Sequence, residues 1–322
     1  SAFIVGYPKS GTTSLYEMLE QNRGIARFPK ETHFLTRTIW SNRRDTMGSY
    51  LSRYSTLERT NGTQVAIDGS PTYAWERSIV PRTMKELFPN AKIIFVIQEP
   101  GKRAESDFYA FTQKLIKGRG NSFDEYVVRE IERINGCLCR NGAADCGNVA
   151  MKNVNPQNRE LFPSNDPEIT EKLFYKCSTE MSRMLRLGIS FYSSSMRRFF
   201  ELFGREQIFV IFTQELSNQT ILSELQEFIG LKPVKLGRVE TNVNQGRAKK
   251  VAMEVQTRIT LNKLFEPHNA ALRELLRSNG FTRKFPEWLG RGEVVGKEAE
   301  KEIEEIGKRR VGKECRSRWS PY

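Results

Sequence analysis

Lys9 stands inside the turn Gly6-Tyr7-Pro8-Lys9-Ser10-Gly11 and is followed at once by Thr12, Thr13 and Ser14. A cation, a flexible glycine and a run of hydroxyls and amides are the groups that hold a phosphate. Further on, Glu31 and His33 flank Thr32 in Lys30-Glu31-Thr32-His33-Phe34. In an extended segment both would project to one side, where a carboxylate can take the proton of an attacking hydroxyl. Phosphate binding beside proton abstraction is the chemistry of group transfer to an alcohol. On spacing alone, a surface salt bridge beside a half-buried histidine is the competing reading of the second group, and an ordinary βα turn that of the first.

The neighbouring segments must position these groups. Ala2-Phe3-Ile4-Val5 is an apolar run of strand length, and Thr12 onward reads as an amphipathic helix with Leu15, Met18 and Leu19 on one face, ending near Asn22. Strand, turn and helix N-terminus aim backbone N–H groups and the positive helix end at one spot. The nucleotide-triphosphate P-loop, G-x-x-x-x-G-K-[ST], shares this layout, but Thr12 occupies its lysine position and Lys9 sits in mid-loop. Val65–Asp68 predicts a second strand, with the turn Gly69-Ser70-Pro71-Thr72-Tyr73 after it. A helix over Val80–Phe88 leads to Lys92–Ile97, the clearest buried strand. Helices follow over Phe123–Ile134, Leu187–Phe203 and Thr220–Ile229, the last capped by Gly230, with a strand over Gln207–Phe212. This βαβ order predicts an α/β fold: a P-loop-like three-layer domain with a central parallel sheet of about four or five strands flanked by helices. Ligands of such sheets lie at the carboxyl ends of the strands.

The chain has 322 residues, and Lys and Arg exceed Asp and Glu by 51 to 38, a net charge of +13. That surplus favours anionic partners: nucleic acid, anionic lipid, or sulfated and phosphorylated substrates. Nothing in the chain resembles a nucleic-acid-binding motif, so nucleic acid is not an expected partner. No apolar run approaches the roughly 18 residues of a membrane helix. The sequence opens directly on a strand, without Met or signal peptide, so an upstream targeting or anchoring segment is expected. Cys137, Cys139, Cys146 and Cys177 cluster, and Cys315 stands apart. With His33 and His268 far away, C-x-C-x6-C is poor zinc spacing, and no metal is expected. Disulfides in an oxidising compartment are expected instead, with Cys137–Cys146 the first pairing to test. Asn61-Gly62-Thr63 and Asn218-Gln219-Thr220 have the form of glycosylation acceptors.

Across residues 2 to 281 the chain resembles sulfotransferases that use 3′-phosphoadenosine 5′-phosphosulfate (PAPS). Pro8-Lys9-Ser10-Gly11-Thr12-Thr13-Ser14-Leu15 is similar to the loop that holds the 5′-phosphosulfate, with the lysine near the bridging oxygen. The resemblance therefore implies cofactor contacts from Lys9, Ser10, Gly11, Thr12, Thr13 and Ser14. Lys30-Glu31-x-His33-Phe34 is similar to the glycosaminoglycan sulfotransferases, in which the glutamate is the catalytic base. Carried over, Glu31 is the base, His33 its polar partner and Lys9 the third catalytic residue. Ser70-Pro71-Thr72-Tyr73 resembles the S/T-P-x-Y segment beside the acceptor, which implies substrate contacts from His33, Ser70 and Tyr73. Members acting on heparan chains carry lysine where this chain has Gly69. Members resembling the chondroitin GalNAc-4-sulfate 6-O-sulfotransferase carry glycine and a downstream tryptophan, as Trp75 is here. A cysteine pair spaced like Cys137 and Cys146 also looks like that subgroup.

Gln98 to Phe108 resembles R-D-P-x-x-R-x-x-S-D-Y, which grips the 3′-phosphate; Pro100, Arg103, Ser106 and Asp107 match, and Gln98 replaces the first arginine. Glutamine offers a neutral donor where arginine offers a charged fork, a loss of about 1–3 kcal/mol of donor binding. Gly246 and Arg247 match a K-G-R loop over the nucleotide, with Gln245 in place of lysine and Lys249 and Lys250 close by. The resemblance implies a sulfotransferase domain over 1–281 with a cysteine-rich insert at about 135–180, followed by a charged helix and tail over 282–322. It also implies PAPS as donor, 3′-phosphoadenosine 5′-phosphate (PAP) as product and an anionic glycan acceptor such as chondroitin or dermatan sulfate. The expected setting is the Golgi lumen, with membrane contact only through a segment outside this sequence. Two rival readings stay open: a glycan-binding pseudoenzyme, motivated by Gln98 and Gln245, and a P-loop kinase using ATP.

Overall fold

The structure, a computed structural model, describes residues 1–26, 30–38, 46–52, 64–75, 79–112, 122–140, 186–239 and 252–290. Five parallel strands form one sheet in the order β2-β3-β1-β4-β5. They are β1 (Ala2–Gly6), β2 (Ile25–Ala26), β3 (Val65–Asp68), β4 (Lys92–Ile97) and β5 (Ile208–Phe212). β1 lies at the centre, with Ala2 opposite both Ile67 and Lys92, and β4 runs in register with β5 from Ile93↔Ile208 to Ile97↔Phe212. The expected α/β architecture is therefore present, and successive strands leave β1 in opposite directions. That reversal opens a crevice at the carboxyl ends of β1 and β4.

Alternation along the strands feeds a core on each face. Phe3, Val5, Ile93, Phe95, Ile97, Val210 and Phe212 meet α3 (Val80–Leu87), α6 (Tyr192–Leu202) and the second half of α8 (Val255–Ser278). Ala2, Ile4, Ile94, Val96 and Ile211 meet α1 (Thr12–Leu19) and α7 (Gln219–Phe228). A third cluster packs α4 (Pro100–Asp107) and α5 (Phe123–Arg140) against the first half of α8. α2 (Thr46–Ser52) contributes Tyr50, which stacks on Phe34 with ring centroids 4.1 Å apart. No helix among the described residues is long and apolar enough to cross a membrane.

Several boundaries differ from the sequence reading for local reasons. α1 stops at Leu19, because Asn22 turns its side chain to Gln226 Oε1 (2.8 Å) and accepts from the Gly24 amide (2.9 Å). α5 runs on to Arg140, through the Asn135-Gly136 pair that follows the end expected at Ile134. The helix expected over Leu187–Phe203 is broken: Leu187–Ser190 forms a separate 3₁₀ turn, and α6 begins at Tyr192. The packed chain also continues past the boundary drawn at Phe281. Phe285 and Trp288 lie against Phe212, and Leu289 of α9 (Glu287–Gly290) is fully buried. A small apolar cluster precedes the charged segment and belongs to the core.

β5 is an edge strand, and two arginines cover it. Arg205 Nη1 donates to Ile208 O (2.8 Å) while its guanidinium lies over the Phe281 ring, and Arg283 Nη2 donates to Val210 O. Both carbonyls face the side where a sixth strand would pair, so the guanidinium groups stand where an invading strand would bond. Replacing both, Arg205→Ala with Arg283→Ala, should give concentration-dependent self-association in sedimentation velocity that the parent chain does not show.

Candidate active site

The glycine turn is shaped by its neighbours. A Cβ on Gly6 would fall 2.7 Å from Ala74 Cβ, so glycine lets the turn after β3 close onto the end of β1. Gly11 caps α1 in the left-handed region (φ 92°), which favours glycine, and no side chain caps that helix. Thr213, at the end of β5, donates to Ser10 O (2.7 Å) and lies 3.1 Å from Ile97 O, tying the loop to β4. The Ser10 hydroxyl is fully buried, and the Tyr192 phenol oxygen is the protein group beside it. That phenol gives its own proton to Gln98 O (2.8 Å), and burial raises it to about 12. A buried hydroxyl, one phenol oxygen and an uncapped helix N-terminus at a glycine turn together fit a phosphate oxygen. Lys9, Thr13 and Ser14 are partly exposed around it, and Thr12 is buried.

The Glu31 segment is placed differently from the extended form expected. Glu31 (φ 67°) and His33 (φ 51°) are both left-handed, and Phe34–Thr38 follows as a π-helical turn. Together with Lys9 (φ 68°) they are the non-glycine residues with positive φ among those described. Such conformations persist where the surroundings over-determine them. Here the surroundings are a carboxylate at the end of β3. Asp68, 1% exposed, accepts from Ser70 Oγ (2.6 Å), Thr32 Oγ1 (2.7 Å), Tyr73 OH (2.8 Å) and Tyr50 OH (3.1 Å). Burial raises its pKa, and the four hydroxyls oppose that rise. Ser70 Oγ also accepts from the His33 amide (3.0 Å), and His33 Nδ1 lies 2.9 Å from Thr72 Oγ1. The result brings Glu31 Oε2 within 3.8 Å of His33 Nε2, while Lys30 pairs with Glu31 Oε1. The Lys30 stem packs over Gly69 beside Tyr16 of α1, which sets this segment against the phosphate-facing helix. Glu31 remains open to solvent, its side chain 46% exposed.

On the far side of β1, the motif after β4 turns partly inward. Gln98 and Ser106 are partly exposed at the crevice, whereas Arg103, expected to hold the nucleotide, is 0% exposed. Its Nε donates to Ser190 Oγ (2.5 Å) and its Nη2 to Arg186 O (2.6 Å), with Asp107 at 3.8 Å. Arg186 forks onto Asp107, with Nη2 donating to Oδ1 at 2.6 Å. Glu130 accepts from the Arg186 amide, from the Leu187 amide (2.7 Å) and from Tyr126 OH (2.6 Å). These charges form a buried strut beneath the motif. Asn218 caps α7, its Oδ1 accepting from the Thr220 amide (3.0 Å). Cys137 falls in the last turns of α5. Its side chain, and Cys146, Asn61, Gln245, Gly246 and Arg247, lie outside the described residues.

Sequence reasoning passed over Asp68, Thr72 and Glu130. Asp68 closes an otherwise apolar strand just before a hydroxyl-rich turn, and Glu130 shares a helical face with Val127, Ile131 and Ile134. A carboxylate on an apolar face is the signal that points to a buried partner. Arg186 carried none.

The fold and site define an α/β protein whose strand–loop–helix junction has the form that fits a phosphate, with a carboxylate–imidazole pair in the neighbouring segment. Residues 1–270 match the family model for the sulfotransferase domain, and the chain belongs to that family. Among curated proteins it is similar to a bifunctional heparan sulfate N-deacetylase/N-sulfotransferase of Drosophila melanogaster, 23% identical over 321 aligned residues covering 89% of this chain and 26% of that protein. It is also similar to the human heparan sulfate glucosamine 3-O-sulfotransferase 6, 32% identical over 108 residues, 33% of this chain and 29% of that protein. The chain thus spans less than a third of the length of these relatives. Among solved structures, a sulfotransferase from Alicyclobacillus acidocaldarius shares the fold, with a TM-score of 0.58 and 22% identity over 89% of this chain and 97% of that one.

Two outcomes follow for the buried groups. Asp68→Ala leaves four hydroxyls without their acceptor and should cost about 3 kcal/mol or more of stability in urea unfolding; Asp68→Asn, which keeps one acceptor oxygen, should cost less. Burial raises Glu130 from 4.5 to about 7, against the opposing hydrogen bonds. A carboxyl raised in the folded state lends stability that is complete below its unfolded value and lost as pH climbs through the folded one. Urea midpoints should therefore fall between about pH 4.5 and pH 7, by on the order of 3 kcal/mol, and Glu130→Gln should flatten that slope.

Proposed function

We propose that this chain transfers a sulfuryl group from PAPS to a hydroxyl of a glycosaminoglycan of the chondroitin/dermatan type. The observation that carries the reading is the docking of Glu31 and His33, through Asp68, onto the end of β3, beside the loop at the end of β1 that fits a phosphate. When bound, the donor would supply an activated sulfuryl group on a nucleotide bisphosphate. Lys9, Ser10 and the amides of Gly11 to Ser14 would hold its 5′-phosphate end and offset the negative charge gathering there. Glu31 would take the proton of the acceptor hydroxyl, with Lys30 orienting its carboxylate and the His33 imidazole beside it. Ser70 and Tyr73, committed to Asp68, would shape the acceptor side. Ser106 and Gln98, with Gly246 and Arg247, would face the 3′-phosphate, while Arg103 braces that motif from within. No metal enters this scheme.

The glycan class draws support from the two relatives named for heparan sulfate. The finer choice rests on Gly69 and Trp75. A Cβ at Gly69 would fall 2.8 Å from the Tyr16 ring and 3.2 Å from Lys30 Cγ. The lysine expected of heparan-acting members would therefore have to displace both. Golgi residence fits such an acceptor, and glycosylation at Asn218 would use Nδ2 and leave the capping Oδ1 in place. A glycan-binding pseudoenzyme is the second reading. Within the motif after β4, Lys102 pairs with Glu99 and Arg103 with Asp107, and the first position is the neutral Gln98.

Calorimetry with PAP and with ATP separates these readings. Tight PAP binding with weak ATP binding is expected; no PAP binding would favour the pseudoenzyme, and preference for ATP a kinase. Labelled-sulfate transfer to chondroitin, dermatan and heparan chains then tests the acceptor. Glu31→Gln should lower kcat by about 10²–10⁴-fold with donor affinity retained. Lys9→Ala should weaken PAP binding by about 2 kcal/mol.

A further inference from the structure

The two ring nitrogens of His33 face different neighbours: Nδ1 lies 2.9 Å from Thr72 Oγ1, and Nε2 lies 3.8 Å from Glu31 Oε2. The hydroxyls behind Nδ1 decide which nitrogen carries the proton. Thr72 Oγ1 is 3.2 Å from Thr36 Oγ1, which is 3.4 Å from the His33 carbonyl oxygen. A carbonyl oxygen only accepts. Thr36 therefore donates to it, the Thr36 oxygen accepts from Thr72, and the Thr72 oxygen accepts from Nδ1–H. Each hydroxyl has one proton, so the reverse assignment, with Thr72 donating to Nδ1, forfeits one of the three bonds. Thr36 is fully buried in the π-helical turn and Thr72 lies in the turn after β3, so the ring of bonds also staples one segment to the other. The His33 amide, held by Ser70 Oγ, fixes the backbone from which the imidazole projects.

We propose that Thr36 and Thr72 are positioning residues that hold His33 as the Nδ1–H tautomer, so that its Nε2 lone pair stands beside the Glu31 carboxylate as a second proton acceptor. The proposal rests on the reading of Glu31 as base. The proton leaving the acceptor hydroxyl passes to Glu31 Oε2, and the resulting carboxylic O–H has Nε2 as its acceptor once the two close from 3.8 Å to hydrogen-bond distance. One proton enters the pair and none leaves it during the transfer. In the other tautomer, an Nε2–H would face the carboxylate and hold negative charge on the oxygen that must receive the proton.

The chain has two histidines, so ring-¹⁵N histidine labelling gives a spectrum that can be assigned with one variant, His33→Gln. At a pH that keeps both imidazoles neutral, long-range ¹H–¹⁵N correlation should show His33 with a protonated Nδ1 and a bare Nε2. Thr72→Val keeps the shape and removes the hydroxyl. It should shift His33 toward the Nε2–H form and lower kcat about tenfold without raising KM for the donor, and Thr72→Ser should restore both. His33 found as Nε2–H in the parent chain, or a tautomer unmoved by Thr72→Val, overturns the proposal irrespective of activity. A parent chain with the expected tautomer but no sulfuryl transfer would instead defeat the role of Glu31, and the dyad with it.

Discussion

A single buried carboxylate organises the segment that carries Glu31 and His33. Asp68 ends β3 with both oxygens inside the protein, and an isolated charge there would be expensive. Four hydroxyls, from Thr32, Tyr50, Ser70 and Tyr73, offset that cost by bonding to it. They come from the Glu31 segment, from α2 and from the turn after β3, so satisfying one group draws three segments to a common point. The left-handed backbone at Glu31 and His33 follows from this, because Thr32 between them is anchored to Asp68 and the residues on either side must turn around it. The strain is local, and the satisfaction of the buried carboxylate holds it in place.

The other side of the crevice is built from charge rather than hydroxyls. Arg103 and Asp107 of α4 interlock with Arg186 and Glu130, while Arg103 Nη1 stays buried without a hydrogen-bond partner among the described residues. Removing one member of such a set leaves another charge buried and unpaired, so the set behaves as a unit. The strut gives the segment after β4 a fixed base.

How much of this was legible beforehand depended on whether the cause was local. β3 and β4 were read with their observed bounds, because each is an apolar run ended by a turn. The glycine turn and the helix after it were legible for the same reason. β2 was not, since two residues carry no period. The break between Leu187 and Tyr192 has a tertiary cause: Ser190 turns to Arg103 and to Pro100 O (3.3 Å), and the helix cannot run through it. Glu31 and His33 were singled out by the resemblance, spacing alone having left a surface salt bridge open, and the extended conformation expected of them is not what forms, because what bends them is Asp68, far along the sequence. Whether an arginine in a motif faces ligand or core depends likewise on partners that the motif does not contain.

The contrast between the two sides has a chemical logic. Behind the segment after β4 the buried contacts are largely ionic, and they hold it through fixed charge pairs. Around Glu31 and His33 the contacts are hydroxyl groups, each of which donates and accepts at once, so a chain of them transmits direction. The orientation of such a chain is set only where it ends on a group with a single role. Asp68, ionised, is one such end and the His33 carbonyl is another, and neither can donate. Between them the hydroxyls of Thr32, Ser70 and Tyr73 point one way and those of Thr36 and Thr72 another. The segment that carries Glu31 and His33 is thus held by bonds whose polarity is fixed from both ends, with Glu31 half exposed at its edge.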